Sequence, residues 1–230
     1  MSANELRSAR AGKGLTQAKA AERLGVSQAY VAMLENGTRP LTRKLALRVT
    51  RLYGLPPTAV PPPESLPKSR GAADLAHDLA ALGYPGFAYM QPRHSTPKNP
   101  CGVLLAAVAQ DDLEARLVEA LPWLLARYST CDRAWLVRMA KAHDLQNRLG
   151  FVASLARQLV ERAGDTGKTR ELSQLETELE HSRLAREDTL CKASLRDAER
   201  RWLAENRPED AKRWNLLTDW TADGLRYTTV

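Results

Sequence analysis

The chain has 230 residues, 43% hydrophobic and 27% charged, which is the composition of an ordinary globular protein and excludes a disordered or fibrous one. No apolar run approaches the roughly 18–20 residues that cross a bilayer, and the start, MSANELRSARAGKG, lacks the apolar stretch of a secretory signal, so a cytoplasmic protein with no membrane partner is expected. The net charge of +7 is uneven: residues 1–60 hold ten Lys and Arg against three Glu, and the remainder holds 24 basic against 24 acidic residues. A surplus confined to the first quarter points to a small cationic module facing a polyanion.

The elements in chain order are mostly helices. Residues 4–11 place Leu6 and Ala9 inward, and Gly12 and Gly14 stop the helix. Thr16 predicts the cap of a second helix over 17–24, which Gly25 breaks. Ser27 predicts the cap of a third, running to about Asn36 before Gly37. Thr42 caps a fourth that ends near Tyr53 and Gly54, and Pro57 opens a last short turn. The stretch PPTAVPPPESLPKSR then reads as a stiff, extended linker.

Beyond it the three- and four-residue spacing of apolar side chains predicts helices over 72–82, 103–109, 113–128 (interrupted or restarted at Pro122), 133–143 and 145–163. Residues 84–100 read as a long Pro-rich loop with three aromatics. A long charged helix is expected from Thr169 to about Asn206, packed on its neighbours. The last tryptophans, Trp202, Trp214 and Trp220, and Tyr227 are expected to fold back over the body. No alternating strand pattern is present. The fold class expected is therefore all-α, with a five-helix domain at 1–60, a Pro-rich linker at 61–71 and a helical domain at 72–230.

The stretch TQAKAAERLGVSQAYVAMLEN has the form helix, tight turn, helix. Ala20 and Ala21 are small where two helices would cross. Gly25 supplies a left-handed turn. Leu24, Val26, Val31 and Leu34 supply a shared core. Gln28, Ala29, Tyr30, Ala32 and Met33 are left for another face, and they are not the Lys and Glu of an idle surface helix.

Residues 5–60 resemble the Cro/cI-type (Xre family) helix-turn-helix DNA-binding domain, in LTQAKAAERLGVSQAYVAMLENGTRPL and the trailing RLYGLPPTAV. The resemblance implies that the third helix enters the major groove. It puts Gln28, Ala29 and Met33 at base-contact positions, bordered by Tyr30 and Ala32. It puts Thr16, Gln17, Ser27, Asn36, Thr38, Arg39 and Arg43 against phosphates. It also implies a structural pair of Arg10 with Glu35, locking the first helix to the third. The chemistry agrees: Gln bonds N6 and N7 of adenine, and Ala and Met pack on a thymine methyl. Only Gln28 offers a two-bond base contact, so a homodimer on a palindromic double-stranded DNA site is expected.

Other motifs carry less. In GDTGKT the P-loop pattern would need Gly at 162, which is Arg162. His77-Asp78 and His143-Asp144 are dipeptides without further ligands at helical spacing, and His94 and His181 lie elsewhere. The cysteines at 101, 131 and 191 form no C-x-x-C and are expected to be buried free thiols. No metal, no cofactor and no catalysis are expected. Two function classes remain beside a plain repressor: an antitoxin whose helical body grips a toxin, of nucleotidyltransferase type by a loose resemblance of that body, and a sensor with an apolar pocket there.

Overall fold

The computed structural model describes residues 3–66, 71–90 and 98–228. It divides into two compact units. One is the chain through Pro61, joined by Lys98 and Asn99, and the other is the rest from Pro62 onward. Residues 67–70 of the expected linker and 91–97 of the expected loop, His94 included, lie outside the described residues.

The first unit has four helices: α1 (Ala3–Gly12), α2 (Gln17–Leu24), α3 (Gln28–Glu35) and α4 (Arg43–Tyr53), then a 3-10 turn at Pro57–Ala59. Local chemistry sets each boundary. Thr16 Oγ1 accepts from the Lys19 N–H at 3.2 Å and Ser27 Oγ from the Tyr30 N–H at 3.1 Å, satisfying donors that a helix start leaves open. Gly25 at φ +65° closes α2, and the Val26 N–H bonds Ala21 O at 3.0 Å, a turn that a Cβ would strain. Leu6, Leu15, Ala20, Leu24, Leu34, Leu45, Val49 and Tyr53 form the core.

The second unit holds α5 (Ala72–Ala81), α6 (Pro100–Val108), α7 (Ala115–Arg127), α8 (Arg133–Ala142), α9 (Gln146–Arg162), α10 (Thr166–Glu180), α11 (Asp197–Asn206) and α12 (Glu209–Arg213). Two short strands, β1 (Asp188–Thr189) and β2 (Leu216–Leu217), pair in parallel with Asp188 opposite Leu216. Every residue of α6 is buried, as are most of α9, so these two are the interior around which the others pack. Gly150 is required in α9 because a Cβ there would lie 2.3 Å from the Trp214 ring. The Trp214 indole donates to Ser154 Oγ at 2.9 Å, and Ser154 Oγ lies 3.1 Å from Glu176 Oε2 on α10.

Several expectations are corrected here. The long helix over 169–206 is two helices, α10 and α11, separated by residues 181–196. Asn147 clasps the segment by donating to Leu184 O and accepting from Leu184 N–H, both at 2.9 Å. Arg148 then grips Asp188 with bonds of 2.7 and 2.9 Å. These long-range bonds outcompete helical continuation. The break also creates β1, a strand that the sequence pattern does not announce. Conversely, α7 runs through Pro122 unbroken: one lost backbone bond and a ring clash are offset by burial of Leu117, Val118, Leu121, Leu124 and Leu125.

Tyr84 and Phe87 are core residues, not loop surface, with Tyr84 meeting Trp123 edge-on at 5.3 Å. The tail returns to them: Tyr227 packs on Tyr84 at 5.3 Å, and the Arg226 N–H donates to Glu119. Pro63 is buried, and its carbonyl accepts the Trp135 indole N–H at 3.0 Å, so this part of the Pro-rich stretch is built into the second unit. GDTGKT is a helix-to-helix turn and the first residues of α10: Gly164 lies at φ +74°, Asp165 caps α10, and Thr166 to Thr169 belong to that helix. All three cysteines are buried and none is in a disulfide. Among the described residues no cluster of three or more His, Cys, Asp or Glu is placed to hold a metal, and no helix is long and apolar enough to cross a membrane.

Candidate nucleic-acid interface

Helix α3 divides cleanly between two environments. At 100° per residue, Val31, Leu34 and Glu35 fall on one arc and are buried. Ala29 and Met33 fall on the opposite arc and are exposed, Met33 by 38%, a large apolar side chain left in water. Gln28, the first residue of α3, stands only about 20° from Glu35 around the helix and is exposed at the helix start. Ala32, between Gln28 and Met33 around the helix, is half-buried. Tyr30 belongs to neither arc: it is half-buried and packs against the core, so its ring is partly structural.

The back of α3 is fixed by an ion pair. Arg10 on α1 meets the Glu35 carboxylate through Nε at 2.6 Å and a second nitrogen at 3.0 Å. Its third nitrogen bonds Leu15 O at 2.5 Å. Gln17 Nε2 completes the cluster by donating to Glu35 Oε2 at 3.0 Å. Burial pushes the Glu35 carboxyl up, but the bonds from Arg10 and Gln17 outweigh it and hold it below its ordinary range. The same bond raises the Arg10 guanidinium. A planar fork on a carboxylate sets orientation as well as distance, so α1, the start of α2 and the end of α3 are held as one body.

The phosphate-position residues fall into two groups. Asn36, Arg39 and Arg43 are exposed with no side-chain bond among the described residues. Thr16 and Ser27 cap helices through oxygen lone pairs, which leaves each hydroxyl proton free to donate. Gln17 and Thr38 are already engaged. Gln17 donates to Glu35, and the Thr38 hydroxyl donates to Met33 O at 3.0 Å. Thr38 therefore shapes the turn after α3, whose Gly37 sits at φ +73°.

Helices α2, α3 and α4 share one electrostatic feature: none has an acidic residue in its first turn. In α4 the first two residues are Arg43 and Lys44, both exposed, after a Thr42 cap with no side-chain bond. Cations at the positive end of a helix dipole are unfavourable alone and favourable beside an anion. Lys44 was not singled out by the sequence reading, although its place beside Arg43 was the available signal. Arg48, which donates to Leu24 O at 3.2 Å, was also missed, because nothing local announces a bond 24 residues away.

A helix-turn-helix with an uncharged outer face on its second helix, helix starts free of acidic residues and a cationic surround has the make-up of a surface for nucleic acid. Residues 6–60 match the model of a helix-turn-helix family. The domain is of the Cro/cI type, the Xre family, which places the protein among DNA-binding regulators of transcription. No curated protein and no solved structure matches the chain.

Proposed function

We propose that the protein is a sequence-specific transcriptional repressor, cytoplasmic and without catalytic activity, that binds a palindromic DNA site as a homodimer. The observation that carries this reading is the exposed set of Gln28, Ala29 and Met33 on a helix whose Val31, Leu34 and Glu35 are buried. In the groove, Gln28 reads an adenine edge with two bonds and Ala29 and Met33 pack on thymine methyls. Asn36, Arg39 and Arg43, with the starts of α2, α3 and α4, hold the backbone and set register. One two-bond contact per copy is little sequence information, which is why two copies on one duplex are proposed, their half-sites about 34–36 Å apart. The second unit would supply the contact between copies.

Selection of sites from a random duplex pool with the full chain, at near-physiological salt, tests this. The expected winner is palindromic and bound at least about a thousandfold more tightly than scrambled DNA. Uniform binding that collapses in salt would overturn it and leave an electrostatic anchor.

The antitoxin reading draws on a narrower base. It requires exposed aromatic surface for a protein partner. Tyr84 and Phe87 are buried, while Tyr89 at 72% and Trp202 at 53% are exposed. Copurification of a neighbouring gene's product, lost on mutation of Tyr89 and Trp202, would favour it over the plain repressor.

A further inference from the structure

The second unit contains a cleft of about 620 Å³ that the DNA-binding reading does not use. It lies among the start of α7, residues 190–194, α11 and residues 217–220. Its size falls within the roughly 300–1,000 Å³ of small-molecule sites. Its floor is apolar: Leu203 and Leu217, both buried, belong to a small cluster separate from the main core of this unit, and Val118 and Leu190 adjoin them. Helix α11 buries only Leu203, so the wall that carries Trp202 is lightly attached.

Two tryptophans line this cleft and both are unusual here. Trp135 and Trp214 are buried and give their indole N–H groups to Pro63 O and Ser154 Oγ. Trp202 is 53% exposed, Trp220 is half-buried, and neither indole N–H has a protein acceptor among the described residues. An exposed indole beside a partly exposed one, over buried leucines, is surface that water solvates poorly.

The charge around them is predominantly negative. Asp112, Glu114, Glu199 and Asp219 line the cleft against the single cation Lys192. Lys192 is paired with Glu199, and Asp112 accepts from the Ser194 N–H and hydroxyl at 3.0 and 2.6 Å. Glu114 and Asp219 are exposed and have no ion pair among the described residues. Carboxylates repel an anionic ligand, and a neutral apolar ligand would leave them without a role. A bare metal ion would not use the indoles. Indole faces attract organic cations through the ring quadrupole, and the two free carboxylates attract the same charge.

From this juxtaposition we infer that the cleft between α7 and α11 is a binding site for an amphiphilic organic cation, its hydrophobic body against Trp202, Trp220 and the leucine floor and its charge toward Glu114 and Asp219. The residues that line the site all belong to the second unit.

The test is calorimetric titration of the full chain, without DNA, using tetraphenylphosphonium as the probe and tetraphenylborate as the anion of the same shape. One saturable site is expected for the phosphonium, at least about tenfold tighter than any borate binding at that site. Trp202→Ala should weaken it about tenfold, and so should Glu114→Gln with Asp219→Asn. All three positions are exposed, and an unchanged circular dichroism spectrum confirms that the fold persists. No saturable phosphonium binding, equal binding of the borate, or indifference to both variants would each overturn the proposal. None of these results bears on the random-pool selection, so the two readings fail separately.

Discussion

Arg10 and Glu35 lie 25 residues apart in sequence and are joined by a two-bond ion pair whose carboxylate is almost wholly buried. The pair ties the helix that opens the chain to the one that presents Gln28, and Gln17 adds a third donor. The orientation of the exposed arc of α3 therefore depends on a charge pair behind it.

Arg10→Met should destabilise the first unit by about 3 kcal/mol, because it leaves the Glu35 carboxylate buried with its main partner gone. Hydrogen exchange of the full chain in urea resolves this: protection of α1–α4 amides should fall while that of α9 holds. The pH dependence has a definite sign. Glu35 is depressed in the folded state, so its contribution is present above the ordinary glutamate value of about 4.3. It is lost as pH falls through the lower folded value, where the unfolded chain already binds the proton. Glu35→Gln should flatten that acid limb. An unaltered acid limb would show that the pair contributes no linkage.

Gln28→Ala should relax base preference at one position of the selected site, costing about 1–3 kcal/mol there and leaving the salt slope unchanged. Arg43→Ala should weaken every sequence alike and lower the slope by about one. Anisotropy titrations at several salt concentrations separate the two, and an identical pattern for both variants would contradict the division between a reading arc and a phosphate-holding surround.

Gly150→Ala should cost about 3 kcal/mol, the upper end of overpacking, since its Cβ would meet the Trp214 ring at 2.3 Å. The melting temperature should fall markedly, whereas Gly12→Ala, which meets nothing within 4 Å, should leave it unchanged or raised. Equal melting temperatures for the two variants would mean that Trp214 moves aside freely.

The three thiols should be inert toward an aromatic disulfide reagent at pH 8 until the chain is denatured, and then all three should react. Burial pushes the Cys191 thiol up to about 12. The Cys101 thiol and burial together hold Cys131 far above the ordinary range, and Cys101 is fully buried. Rapid modification of any thiol in the native chain would contradict the packing of α6 against its neighbours.

The first unit was legible because its information is local. Thr16 and Ser27 cap helices that begin one residue later, Gly25 and Gly54 close helices one residue earlier, and each signal lies within a turn of its effect. The stretch after Glu180 was not legible for the converse reason. It is rich in helix-forming residues, and its departure from helix is dictated by Asn147, Arg148 and a strand partner at Leu216, all distant in sequence. At the interface the same contrast recurs. The outward placement of Ala29 and Met33 follows from helical period, and that of Gln28 from its place at the start of α3, whereas the engagement of Gln17 with Glu35 and of Thr38 with Met33 depends on how the chain closes on itself.

The exposed face of α3 carries a single side chain with hydrogen-bonding atoms, Gln28. In informational terms such a face is poor: a side chain that specifies one base pair meets an acceptable match about once in every four steps along random DNA, against the roughly 10⁶–10⁹ competing sites of a genome. Discrimination between addresses must then come from multiplication, by a second face held at a fixed spacing or by the stiffness of the intervening duplex. The scarcity of polar groups on one short helix thus makes geometry between readers, more than chemistry within one, the quantity on which selection would act.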